Sequence, residues 1–372
     1  MLSNCFYWII KSNCGSILDK LCLTINDIST KIVVLKYIIR GGYTMKKGFV
    51  CLAIFLLVCL HLVSISKTFA QQPITIKALM AWPENYTSNG AFREWVKKVN
   101  ELGKGKVMIK VIGGPEAIPL FEQIGALKRG VVDVVHTAAA YYMGVIPEVE
   151  AFGLSRLNPE EERARGFYDL MVEIHKAHGI MYLGRMQGVA PLGTLCTKVN
   201  LKSPRDLAGL KIRSVPIYDA FLKELKAVPV TIPVPEIYTA LERGVVDGFI
   251  QPLAGGFTSL GFHEVVKYIV NHYFYQLPGT ALMNLEYWNK LPQDTKNFLM
   301  DTIKENEKII GKIFLSYHET ELEKAQKGGV KLINFSPEDA KWFIETAYRM
   351  GWENLLKKSP KYGPRLKELS TK

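Results

Sequence analysis

Residues 74–81 (Ile-Thr-Ile-Lys-Ala-Leu-Met-Ala) alternate toward the apolar and are rich in strand formers, which predicts a first strand. The period changes over 90–102, where Phe92, Trp95, Val96 and Val99 fall on one face of a helix that Ser88 or Asn89 can cap. Residues 107–112 return to a strand pattern, and Gly113-Gly114-Pro115 turns the chain. A helix over 122–129 and a buried strand over 131–135 follow, giving β-α-β-α-β, the signature of a sheet covered by helices. Asn158-Pro159-Glu160-Glu161 reads as a capping box that opens one helix running to about residue 178. Strands are expected over 180–186, 195–198, 210–215 and 229–232, with short helices after Ser203-Pro204 and over 218–225. A helical pattern over 294–327 is about 50 Å long at 1.5 Å per residue, longer than one small lobe. Such a helix could brace two halves. A strand over 330–334 and a helix over 337–357 precede a basic stretch, 358–372, that reads as a loosely ordered tail.

One stretch occurs twice. Residues 122–133 (Glu-Gln-Ile-Gly-Ala-Leu-Lys-Arg-Gly-Val-Val-Asp) align with 236–247 (Glu-Ile-Tyr-Thr-Ala-Leu-Glu-Arg-Gly-Val-Val-Asp), with eight of twelve positions identical. Each copy reads as a helix closed by glycine and followed by a buried strand. Two similar α/β halves with a ligand cleft at the carboxyl ends of their strands are therefore expected.

The amino-terminal region changes the picture of charge and compartment. Met45-Lys46-Lys47, an apolar run over 48–64 and Thr68-Phe69-Ala70 form a secretory signal peptide, with cleavage expected after Ala70. Residues 1–44 are then expected to be a mis-assigned start outside the mature protein. Residues 1–70 hold eight of the 47 Lys/Arg and two of the 35 Asp/Glu, which leaves 39 and 33 and a net charge of +6. This excess is spread out, without an Arg-rich or aromatic-interleaved patch, so no nucleic-acid partner is expected. Five of the six cysteines lie before residue 71, so Cys196 has no disulfide partner in the mature chain. No Ser-His-Asp order, nucleophile elbow, phosphate-binding loop or zinc spacing is apparent.

The run Ser203-Pro204-Arg205-Asp206-Leu207-Ala208-Gly209-Leu210-Lys211-Ile212-Arg213, followed by 236–248, resembles the signature of the solute-binding proteins of tripartite ATP-independent periplasmic (TRAP) transporters, the DctP-like family. The resemblance covers about residues 74–356. It implies a periplasmic-binding-protein-like α/β fold of two lobes with a hinge and a long helix spanning both. Lobe I would comprise 73–188 plus about 278–317, and lobe II 189–277 plus about 318–357. It implies a periplasmic receptor, without a cofactor and not an enzyme, that closes on an organic acid and delivers it to a small and a large membrane subunit. In the family the arginine of Lys211-Ile212-Arg213 holds the ligand carboxylate, and a polar residue in the position of Gln251, before Pro252, assists. The chain departs from the family in carrying Gln where many members have Asn. It also has Gly193 where the sialate-binding branch has a second arginine, so a sialate ligand is not expected.

The residues support this chemistry on their own terms. A planar guanidinium matches a carboxylate bidentately, and Arg213 in its strand must face a cleft or pair internally. The Gln251 amide can donate to a carboxylate or accept from a hydroxyl. Trp82, Tyr141, Tyr142, Tyr218 and Phe257 fall in or near strand-exit loops and suit an apolar or aromatic monocarboxylate, although each also suits a core. Arg185 reaches the cleft or bridges the lobes. Glu173, His175 and His178 are expected on a solvated helix face rather than as a metal site. A ligand-binding sensor for a membrane kinase shares the fold, and a secreted α/β hydrolase is the rival from another class.

Overall fold

The computed structural model describes residues 73–84, 86–188 and 190–371. The expected false start and signal peptide, residues 1–70, lie outside this range. Two sheets organise the described chain. The first contains β1 (Ile74–Met80), β2 (Val107–Gly113), β3 (Val134–Ala138), β4 (Ile180–Gln187) and, from far along the chain, β10 (Gly279–Asn284), in the order β2-β1-β3-β10-β4. The second contains β5 (Thr194–Thr197), β6 (Lys211–Ser214), β7 (Val228–Thr231), β8 (Gly248–Gln251), β9 (Tyr268–Val270) and β11 (Lys331–Ile333), in the order β11-β9-β5-β8-β6-β7.

The repeat seen in sequence is a repeat in three dimensions. β1 lies parallel between β2 and β3, and β6 lies parallel between β7 and β8. An antiparallel strand then flanks each repeat strand, β10 beside β3 and β5 beside β8. The two copies share their hydrogen bonds. Asp133 Oδ2 accepts from the Lys77 amide at 2.7 Å, and Asp247 Oδ2 accepts from the Lys211 amide at 2.8 Å. The helices of the copies, Gln123–Lys128 and Ile237–Glu242, end at Gly130 (φ 72°) and Gly244 (φ 70°), left-handed positions that glycine adopts without strain.

The chain passes between the sheets three times, after β4, before β10 and, from β10 to β11, along the Gln293–Lys327 helix; the first two crossings pair through a Gly193–Phe274 bridge. The Gln293–Lys327 helix touches both sides: Leu299 and Ile303 pack in the core of the first sheet, Phe314 against Ala254, and Ala325 in the core of the second. It is 35 residues long, so the brace expected from the hydrophobic pattern is present as one unbroken element.

Four expectations need correction. No strand was expected over 279–284, yet β10 is central to its sheet and buried along its whole length. Its Gly-Thr-Ala-Leu-Met-Asn sequence shows no alternation because both faces are covered. The helix over 159–178 is two helices, Pro159–Ala164 and Phe167–Ala177, separated by Gly166 at φ 79°. The tail is ordered: Gly363–Ser370 forms a helix that buries Leu366 completely. His175 is not on a solvated face. It is fully buried, its ring stacked on Tyr182 and its Nδ1 bonded to the Met171 carbonyl at 2.6 Å.

Candidate functional site

The exits of β1, β3 and β4 face those of β6 and β8 across a cavity. Trp82, Tyr86, Ala138, Tyr141 and Gln187 line it from the first sheet, and Arg213, Tyr218, Ile250 and Gln251 from the second. The cavity is small, about 50 Å³, so the two rims stand close together.

Arg213 forms the polar centre. It lies on β6 between Val230 of β7 and Phe249 of β8, and is 2% exposed. Its Nε donates to the Ile232 carbonyl at 2.8 Å and its Nη1 to the Ile250 carbonyl at 3.2 Å. Nη2 is buried and makes no hydrogen bond of ordinary length among the described residues, although the Tyr141 hydroxyl lies near enough to the guanidinium to favour its charged form. Burial lowers the pKa of the guanidinium, and the groups that oppose this are Tyr141, Tyr218 and Tyr86 rather than a carboxylate. Burial in turn drives the pKa values of those three phenols upward, so they stay neutral. The cavity therefore holds a net positive charge with one donor unspent. An uncompensated buried charge is costly, and an incoming anion relieves that cost.

An aromatic wall completes the site. Trp82 stacks on Tyr86 with centroids 5.7 Å apart, and its indole N–H donates to the Tyr141 hydroxyl at 3.2 Å. Behind Trp82 lies His136, stacked on Phe92; burial pushes its pKa down to about 4, so it is neutral at physiological pH. The remaining lining is largely aliphatic: Ala138, Ala140, Val215, Ile217, Val234, Ile250 and Leu277.

A family model, DctP, described as bacterial extracellular solute-binding protein, family 7, matches residues 79–357. The chain belongs to family 7. Among curated relatives of this family 7 protein is a monocarboxylate 2-oxoacid-binding periplasmic protein of Nostoc sp., 26% identical over 276 residues, 69% of this chain and 73% of the relative. Another is the C4-dicarboxylate-binding periplasmic protein DctP of Rhodobacter capsulatus, 26% identical over 277 residues, 69% of this chain and 79% of the relative. The fold is that of a TRAP periplasmic solute-binding protein of Desulfovibrio salexigens crystallised with orotic acid. That likeness has a TM-score of 0.72 at 21% identity and covers 80% of this chain and 97% of that one. The family 7 protein is thus a two-lobed α/β solute-binding protein.

Of the residues singled out in the sequence, Arg213, Gln251, Trp82, Tyr141 and Tyr218 come together around this cavity. Three others lie elsewhere. Arg185 is 1% exposed and ion-paired with Glu162, with Nη1 on the Gly188 carbonyl at 3.0 Å; it belongs to the interior of one half. Tyr142 turns inward, 3.2 Å from His175 Nε2 and 3.4 Å from Thr280 Oγ1. Phe257 packs in the second sheet's core against Phe249 and Phe262. Tyr86 and Gln187 line the cavity without having been singled out. Tyr86 sits in the β1 exit beside Trp82, and Gln187 ends β4 where the first crossing begins, and that strand-end position was the available signal.

Proposed function

We propose that the protein is the extracytoplasmic receptor of a TRAP transporter, which captures an organic acid between two lobes and passes it to the small and large membrane subunits. The observation that carries this reading is the buried Arg213 with its free Nη2 in a cavity lined by both sheets. A carboxylate on Arg213 would add charge-assisted bonds, each contributing about 1.5–3 kcal/mol net. The lobes, 73–188 with about 278–317 and 189–277 with about 318–357, close on the acid by hinging at the paired crossings. The receptor is exported by a signal peptide cleaved after Ala70, and it returns its ligand chemically unchanged.

A single cation, three phenols and an aliphatic lining favour a monocarboxylate with an apolar or aromatic part. The similarity to a 2-oxoacid-binding relative agrees with a single carboxylate. A thermal-shift screen against organic acids and their primary amides tests the reading, because a ligand that binds only the native state raises the melting temperature with concentration. Stabilisation by an acid and not by its amide is expected. A folded, ligand-free protein that no acid stabilises would contradict it.

A further inference from the structure

We infer that the ligand carries a hydrogen-bond donor, a hydroxyl or N–H, besides its carboxylate, and that Gln187 is the residue that selects for it. The inference rests on the carboxylate reading above and narrows it.

The cavity has two kinds of unspent polar atom. On the side of Arg213, Nη2 offers hydrogens. The Tyr141 hydroxyl accepts from the Trp82 indole, which leaves its own proton to donate. Two further buried atoms are acceptors: Gln187 Oε1 and Gln251 Oε1 have no donor among the described residues. Both glutamines are 4% exposed and both line the cavity. Buried acceptors of this kind are rarely left empty, and a carboxylate supplies no hydrogen to fill them.

The local structure fixes the Gln251 amide and the position of the Gln187 side chain. Gln251 Nε2 donates to the Tyr86 hydroxyl at 2.7 Å, which turns its Oε1 away from that bond. Gln187 lies over Gly279, its partner on β10, where a Cβ would stand 2.4 Å from Gln187 Cγ and 3.0 Å from His136 Cε1. Glycine at 279 is what makes room for the Gln187 side chain. The free carbonyls thus ask the ligand for hydrogens. A hydroxy acid supplies one; an oxo acid or an ether offers only lone pairs. A second carboxylate would set negative charge against acceptor oxygens, and Arg213 is the one cation among the lining residues.

Matched triplets test this by calorimetry on the processed, ligand-stripped protein: lactate, pyruvate and propionate; 3-phenyllactate, phenylpyruvate and 3-phenylpropionate; 4-hydroxybenzoate, 4-methoxybenzoate and benzoate. In any triplet that binds, the hydroxy acid is expected to bind at least about tenfold more tightly than its two analogues, since a site built to bond a hydroxyl rejects ligands lacking it. Gln187→Met is expected to bring the three affinities together; if it fails to fold, Gln187→Asn withdraws the carbonyl while keeping an amide. An oxo or unsubstituted acid that binds as tightly as the hydroxy acid, and is lost in Arg213→Ala, would overturn the donor inference and leave the carboxylate receptor standing. Binding by none of the nine acids would overturn both.

Discussion

Gln251 Nε2 donates a 2.7 Å hydrogen bond to the Tyr86 hydroxyl, joining the end of β8 in the second sheet to the loop that leaves β1 in the first. Thr87 Oγ1 adds a second crossing bond, 2.8 Å to the Ala254 carbonyl. The rims on either side of Arg213 are therefore latched by polar contacts made only when they meet. Tyr86→Phe removes one such bond, worth about 1 kcal/mol, and is expected to weaken ligand affinity about fivefold, chiefly through faster release. Gly255→Ala should cost more, because its Cβ would stand 2.5 Å from the Tyr86 hydroxyl. Stopped-flow release rates for both variants check this, and unchanged rates would exclude the latch.

Arg185 provides the contrast that gives Arg213 its meaning. Both are buried, but Arg185 meets a carboxylate of its own chain, Glu162, whereas Arg213 meets carbonyls and phenols. Glu162→Gln leaves the Arg185 charge uncompensated and is expected to lower stability by about 3–5 kcal/mol. Urea unfolding of wild type and variant measures the difference.

The repeat, the long helix and the Lys-Ile-Arg strand were legible because each is a local pattern that needs no knowledge of its neighbours. The reasons for the misses differ. β10 is buried on both faces and owes its place to β3 and β4, so its sequence carries no alternation to read. Phe257 and Tyr142 lie near strand exits as expected, but which way an aromatic turns there depends on packing across the sheet. Arg185 and Arg213 are alike in type and strand context, and only the distant Glu162 separates their roles. Tyr86 and Gln187 carry ordinary residue identities, and their significance comes from what faces them across the cavity.

Glu150 should make stability fall as pH rises. It is fully buried, with Asn354 Nδ2 donating to both carboxylate oxygens, and burial pushes its pKa up to about 7. Lys358 opposes the shift and Asp219 adds to it. The native state then binds more protons than the unfolded chain between the ordinary carboxylate range and pH 7. This contribution is complete at acid pH and is lost as pH climbs through about 7. Glu150→Gln keeps an acceptor for Asn354 and removes the charge. The melting temperature of wild type relative to this variant is expected to drop between pH 5 and pH 8, and a constant difference would refute the linkage.

The terminal helix is structural. Leu366 is fully buried in the main core and does not line the cavity, so Leu366→Ala is expected to destabilise by about 2–5 kcal/mol with ligand affinity retained. Denaturant midpoints and ligand affinity measured together separate the two effects.

If Arg213 awaits a carboxylate, calorimetric titration of wild type and Arg213→Ala with one binding acid and its primary amide will show it. Wild type is expected to bind the acid and not the amide, and Arg213→Ala, still folded, to bind the acid at least about tenfold more weakly. Equal affinity of the two proteins for the acid, or equal binding of acid and amide by wild type, would contradict it.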